Sequence, residues 1–94
     1  MYSKRITILN KTGLHARPAS VFVGEAGKFE AKITLNKLDE NGRTVKSCPA
    51  KSIVHLLSMA LSKGTSIELA AEGPDESQAV DTLTDLIAGG FGEL

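Results

Sequence analysis

The chain has 94 residues, 41% of them hydrophobic and 23% charged, which are ordinary proportions for one small domain with a single core. Eleven basic and eleven acidic residues cancel, so no overall field favours nucleic acid or an anionic membrane surface. Cys48 has no partner for a disulfide within the chain, and no motif supports a metal or cofactor site. No secretory segment or long apolar span is present. We therefore expect a cytoplasmic, non-membrane domain over residues 1–94.

The first third of the chain predicts two strands separated by a helix. Residues 5–9 are rich in β-branched side chains and lead into a polar turn, which is typical of a strand. Residues 32–36 alternate with a period of two, so Ile33 and Leu35 share the buried face of a second strand. Helical spacing predicts a helix from residue 16 to about residue 28. Its apolar stripe consists of Ala19, Phe22, Val23 and Ala26.

The middle of the chain predicts a hairpin followed by a helix. The run Asp-Glu-Asn-Gly at residues 39–42 is a strong turn signal, and residues 43–45 begin a return strand. We expect the run Ser-Cys-Pro-Ala at residues 47–50 to break that strand. Ser52 is then the N-cap of a helix from residue 53 to about residue 62, which ends at Lys-Gly.

The last third predicts a strand and a final helix. Residues 66–72 alternate, with Ile67, Leu69 and Ala71 facing inward, and Gly-Pro ends the strand. Asp75 and Glu76 suit the positive end of a helix dipole. The apolar stripe of this helix consists of Ala79, Leu83, Leu86 and Ile87. Gly-Gly at residues 89–90 ends the helix and leaves a short tail.

The order of elements is therefore βαββαβα. Strands with one apolar face and helices with one apolar stripe favour two layers, a sheet with helices on one face and water on the other. From pattern alone, a ferredoxin-like arrangement fits nearly as well.

The strongest functional signal is the segment Gly-Leu-His-Ala-Arg-Pro-Ala at residues 13–19. An isolated histidine is more often a surface or capping residue, but here a helix N-terminus with its unpaired amides favours an anion. Pro18 costs no hydrogen bond in the first turn. His15 is able to attack a phosphoryl donor while Arg17 and the amides of Ala16 and Arg17 bind the transferred oxygens. Without a second base or a substrate pocket, this chemistry needs a partner protein.

Ser52 and the helix that follows carry a second signal. Ser52 is an N-cap, and a phosphate there would sit at a helix N-terminus, where its charge is tolerated and docking would change without unfolding. The helix is apolar nearly all round, so some of its side chains remain exposed as a docking surface. The best candidates are Ile53, Val54 and Leu57. His55 among them is interpreted as an ordinary exposed histidine.

Three motifs resemble the HPr family, the histidine-containing phosphocarriers of the bacterial sugar phosphotransferase system. They are GLHARPAS at residues 13–20, KSI at 51–53 and SKG at 62–64, and the similarity extends over nearly the whole chain. The resemblance implies an α+β open-faced β-sandwich, with a four-stranded antiparallel sheet and three helices on one face. The chain departs from the family pattern in a longer segment between residues 39 and 50, and in His55, where the family usually has a small residue or glycine.

The resemblance also implies partners and roles. His15 would be phosphorylated on Nδ1 by enzyme I, which is charged from phosphoenolpyruvate, Arg17 would stabilise the phosphate, and the load would pass to the IIA domains of sugar permeases. Ser52 matches the serine that an HPr kinase/phosphorylase modifies in many Gram-positive relatives, where the product is a corepressor with a catabolite-control transcription regulator. Docking positions of the family are matched by Ile53, Val54 and Leu57. The protein would act as a monomer.

Two hypotheses from different classes follow. The first is a phosphoryl carrier, not an enzyme, that works through His15. The second is a regulatory binding module that works through Ser52 and protein contacts, and the presence of His15 favours the first. A metal-dependent or hydrolytic enzyme is disfavoured, because the chain offers no ligand set and no second catalytic group.

Overall fold

The computed structural model describes residues 1–92 as a four-stranded antiparallel sheet covered by helices. The elements in chain order are β1 (Tyr2–Thr7), α1 (Ala16–Ala26), β2 (Lys32–Leu38), β3 (Thr44–Pro49), α2 (Ile53–Ser58), β4 (Ser66–Glu72) and α3 (Glu76–Ala88), followed by a 3-10 turn at Gly90–Gly92. The strand order across the sheet is β1-β4-β2-β3. The predicted α+β open-faced arrangement in the order βαββαβα is confirmed, and the ferredoxin-like alternative is not what the chain forms.

The buried face of the sheet is the one that the alternation predicts. Its central strands, β2 and β4, place Ile33, Leu35, Ile67, Leu69 and Ala71 in the core. Helices α1 and α3 cover this face with Phe22 and Leu83, both fully buried. Burial of one such side chain contributes about 1.5–3 kcal/mol to the free energy of folding. The apolar side chains on this face therefore supply a large part of the hydrophobic stabilisation.

Strand β1 lies earlier in the chain than the predicted residues 5–9. It pairs with β4 from Tyr2 opposite Ala71 to Thr7 opposite Ser66, and this pairing sets its bounds. The strand ends at Thr7, Ile8 still bonds through its backbone to the turn before β4, and Leu9 is exposed. The β-branched run therefore marks only the second half of the strand.

The expectation that residues 47–50 break the third strand is wrong. Strand β3 continues to Pro49, with Cys48 buried opposite Leu35 and Pro49 opposite Thr34. Because β3 is an edge strand, the missing N–H of Pro49 at its end costs little. The chain then turns, and the Ala50 amide donates to the carbonyl of Ile33.

Helix α2 is shorter than the predicted span of residues 53–62. Ser52 is confirmed as its N-cap, but the helix ends at Ser58, and Ala60 adopts a left-handed backbone with φ of 52°. The reason is tertiary: Lys37 Nζ donates to the Met59 carbonyl at 3.0 Å, and the chain then bends so that Leu61 is buried. The predicted stop at residues 63–64 lies in the turn that leads into β4.

Helix α3 buries Ala79, Leu83 and Ile87 as predicted, whereas Leu86 is only half-buried and Val80, absent from the predicted stripe, is fully buried. The backbone turns at Gly89 as expected. The predicted tail extends to residues 93–94, which lie outside the described part of the chain.

Asp75, at the N-cap of α3, does more than complement the helix dipole. Its carboxylate accepts hydrogen bonds from the backbone amides of Glu30 at 2.9 Å and Ala31 at 2.8 Å. These bonds, the one from Glu30 foremost, hold the pKa of the Asp75 carboxyl below its usual range, and the Lys51 ammonium adds to the effect. Asp75 thereby connects the segment before β2 to the start of α3.

Candidate functional site

The loop before α1 is tied to the core at several points. The buried Asn10 side chain donates from Nδ2 to the Gly13 carbonyl at 2.7 Å, and the Gly13 amide donates to the Asn10 carbonyl. Leu14 is buried, and its amide donates to the Leu61 carbonyl at 2.8 Å. The next residue, His15, therefore follows a loop segment whose backbone is held in place by hydrogen bonds and by the burial of Leu14.

Gly13 is required in this loop for two reasons. Its φ of 65° is left-handed, a conformation that side chains with a Cβ rarely adopt. A Cβ at this position would also collide with the Leu61 carbonyl oxygen and lie 2.8 Å from Cα of Ser62. The glycine thus permits the close approach of the loop after α2 to the loop that carries His15.

His15 occupies the N-cap of α1 and is exposed. Its backbone is extended, its side chain caps no amide of the helix, and its carbonyl accepts the first helical hydrogen bond, from Ala19 at 2.9 Å. Pro18 has no N–H, so the amides at the open end of the helix are those of Ala16 and Arg17. These two amides belong to the first two residues of α1, which follow His15 in the chain.

Arg17 is exposed in the first turn of α1. Within residues 1–92 its guanidinium enters no hydrogen bond or ion pair with another side chain. A permanent cation that is not neutralised by a carboxylate keeps its donors for an external anion. Arg17 and His15 therefore share the open end of one helix, as the motif predicts.

A shallow groove of about 310 Å³ begins at His15 and extends to α2. It is lined by Thr12, Leu14, His15, Leu57, Ala60, Leu61 and Ser62. Thr12 lies in the turn that precedes His15 and contributes to this lining. What sequence reasoning missed is the turn after α2: the left-handed Ala60 directs this segment against the His15 loop.

The proposed docking residues on α2 differ in exposure. Val54 is 74% exposed and Leu57 is 43% exposed, whereas Ile53 is half-buried and packs against the core. Leu57 also lines the groove that reaches His15. Apolar surface is therefore continuous from the imidazole to one face of α2, which is typical of a protein-binding site.

Ser52 and His55 form a pair that the sequence reading did not foresee. Ser52 Oγ lies 2.8 Å from Nδ1 of His55 and also accepts the His55 amide at 3.5 Å. Interpreting His55 as an ordinary exposed histidine is therefore incomplete, since its ring is held against the N-cap serine. The spacing of three residues from an N-cap was the signal available in the sequence.

Among residues 1–92, no cluster of three or more His, Cys, Asp and Glu side chains has the arrangement to hold a metal ion. Over the same residues, none of the helices is long and apolar enough to cross a membrane.

Comparison with known proteins gives consistent results. Residues 2–89 match the family described as PTS HPr component phosphorylation site. The phosphocarrier protein HPr of Neisseria meningitidis serogroup A is 43% identical over 95 residues, covering 99% of this chain and 98% of that one. The HPr of Haemophilus influenzae is 45% identical over 87 residues, covering 93% of this chain and 95% of that one. The crystal structure of an HPr from Thermoanaerobacter tengcongensis has a TM-score of 0.89 at 45% identity, covering 100% of this chain and 99% of that one.

Proposed function

Since the chain belongs to the HPr family of phosphocarrier proteins, we propose that it takes a phosphoryl group from enzyme I on His15 and donates it to the IIA domains of sugar permeases. The observation that carries this proposal is the exposed His15 at the open end of α1, with Arg17 beside it and an apolar groove leading to α2. An exposed nucleophilic side chain on a rigid backbone segment suits a carrier that must enter the active sites of two different partner proteins.

The chemistry at His15 is one substitution at phosphorus in each direction. Neutral Nδ1 attacks the phosphoryl group on the donor, the Nδ1–P bond forms, and the bond from phosphorus to the donor atom breaks. The amides of Ala16 and Arg17 and the Arg17 guanidinium offset the charge on the three phosphoryl oxygens. Transfer to the acceptor reverses these bond changes and restores the free imidazole.

Partner docking is assigned to the exposed apolar surface of α2. Val54 and Leu57 supply the side chains that would lose contact with water, and half-buried Ile53 packs against the core. Because the groove connects Leu57 to His15, a partner bound there has its reacting group close to the imidazole.

The loading experiment uses purified enzyme I and phosphoenolpyruvate, followed by intact mass measurement. We expect an acid-labile phosphoryl adduct on the wild-type chain and none on His15→Ala, with His55→Ala as the matched histidine control. Adduct that persists in His15→Ala would exclude His15 as the acceptor. Failure of the wild-type chain to load at all would favour the regulatory hypothesis.

Ser52 is assigned a regulatory phosphorylation by an ATP-dependent HPr kinase/phosphorylase, in a carbon catabolite response that involves a transcription regulator. Supporting this are its partial exposure and its place directly before the docking residues. Incubation with such a kinase and ATP should add an acid-stable phosphate to the wild type and not to Ser52→Ala. We assign the protein to the cytoplasm and propose that its single domain is monomeric. Light scattering measures the molar mass in solution and so tests the monomeric state.

A further inference from the structure

The contact between Ser52 and His55 joins a hydroxyl and an imidazole on the surface of the molecule. Oγ and Nδ1 are 2.8 Å apart, and the Ser58 hydroxyl donates to the His55 carbonyl at 2.7 Å from the next turn of the same helix. The His55 amide also points at Ser52 Oγ. Backbone and ring of His55 are thus both oriented toward the same oxygen.

A cationic side chain would stabilise a phosphate on Ser52, because the dipole of α2 contributes little electrostatic stabilisation at its N-terminus. The helix has only six residues, too few for the peptide dipoles to add up to a full macrodipole. The nearest cation along the chain is Lys51, but its ammonium donates to the Phe29 carbonyl at 2.6 Å and interacts with the Asp75 carboxylate. Lys51 is therefore engaged on the side of the α1–β2 segment.

We propose that His55 is the counter-ion of a phosphate on Ser52, with its imidazolium Nδ1–H donating to a phosphate oxygen. This inference rests on the proposal that Ser52 is phosphorylated. The phosphate replaces only the hydroxyl hydrogen, and its three terminal oxygens are carried on the phosphorus bonded to Oγ, so the ring reaches one of them after a rotation about its side-chain bonds. His55 acts here as a positioning residue that holds the phosphate over α2, beside exposed Val54.

The Oγ–P bond forms as the bond between the β,γ-bridging oxygen and the γ-phosphorus of ATP breaks, ADP leaves, and the hydroxyl proton passes to a base of the kinase. The imidazole takes its own proton from solvent. The resulting pair is a charge-assisted hydrogen bond between a group of about −1.5 to −2 charge and a cation.

The test installs phosphoserine at position 52 during translation of the full chain, so that no kinase is needed. The ³¹P signal is titrated with pH in the otherwise wild-type chain, in His55→Gln and in Lys51→Gln. We expect the midpoint of the phosphate titration to lie about half a pH unit lower in the chain that retains His55 than in His55→Gln, a size set by exposed ion pairs. Lys51→Gln should titrate like the wild type.

A second readout is the ¹⁵N spectrum of the two imidazoles. Phosphorylation at position 52 should move the Nδ1 signal of His55 and leave that of His15 in place. Equal ³¹P midpoints in the wild type and His55→Gln, or a larger change in Lys51→Gln, would overturn the proposal. Because the phosphate is installed without a kinase, failure of a kinase to modify Ser52 contradicts the proposed function and not this pair.

Discussion

The Leu14 amide and the Leu61 carbonyl are joined by a hydrogen bond of 2.8 Å, which fastens the loop before His15 to the loop after α2. The two loops are far apart in sequence, and each contributes one wall of the groove at His15. The His15 imidazole and helix α2 are therefore held in a fixed relation by the fold.

Gly13→Ala should lower the free energy of unfolding by about 1–3 kcal/mol, since it forces a left-handed backbone on alanine and pushes the new Cβ against Leu61. It should also slow the loading of His15, because the two loops must separate. Urea unfolding and the rate of adduct formation measure the two effects. Gly24→Ala is the matched control: it lies in α1 with no neighbour within 4 Å of a new Cβ and should be neutral or stabilising. Equal losses in both variants would contradict the assigned role of Gly13.

Arg17→Gln should reduce the rate of phosphoryl transfer by about tenfold or more without changing stability, because it removes the cation that we propose faces the phosphoryl oxygens. Stopped-flow transfer from phosphorylated enzyme I measures the rate, and thermal unfolding measures the stability. Lys11→Gln removes an exposed cation from the preceding loop and serves as the control for net charge. A similar loss in both variants would show that overall charge, and not Arg17, matters.

Leu57→Lys should raise the KM of enzyme I for this chain, since Leu57 lies on the groove that reaches His15. The free energy of unfolding should stay within about 0.5 kcal/mol of the wild type, because the Leu57 side chain is 43% exposed. A charge placed at the centre of an apolar contact surface is desolvated on binding and weakens association. Val45→Lys on the edge strand β3, where the side chain is 55% exposed, is the control that should bind normally. Unchanged KM in Leu57→Lys would remove α2 from the docking surface.

Asp75→Asn should destabilise the protein at neutral pH, because the ionised carboxylate accepts the amides of Glu30 and Ala31. Its pKa is lower in the folded chain than in the unfolded chain, so its contribution is complete above the unfolded value and is lost as the pH falls through the folded value. The difference between wild type and variant should thus shrink on acidification. Urea midpoints measured across the acid range test this.

The control for that series is Asp85→Asn, which removes an exposed carboxylate from α3. It should leave the urea midpoint nearly unchanged at every pH. A difference between wild type and Asp75→Asn that stays constant with pH would mean that the carboxylate's charge is not what stabilises the contact.

The sequence alone was sufficient for the order of elements and the buried faces, because periodicity is a local property. The alternation of Ile33 with Leu35 and of Ile67 with Leu69 identified the inner face of the sheet. The residues of the histidine motif are likewise contiguous, with His15 as the N-cap of α1 and Arg17 in its first turn, so they were bound to be neighbours. Capping by Ser52 is local in the same sense.

Only the tertiary structure decided where elements end and which distant segments meet. Strand β3 continues to Pro49 because β2 pairs with it, and α2 stops early because Lys37 holds the Met59 carbonyl. The groove between His15 and Leu57 exists because the chain returns after α2 to within a hydrogen bond of Leu14. Such bonds connect residues with no pattern in common, so their geometry arises only when the whole core has packed.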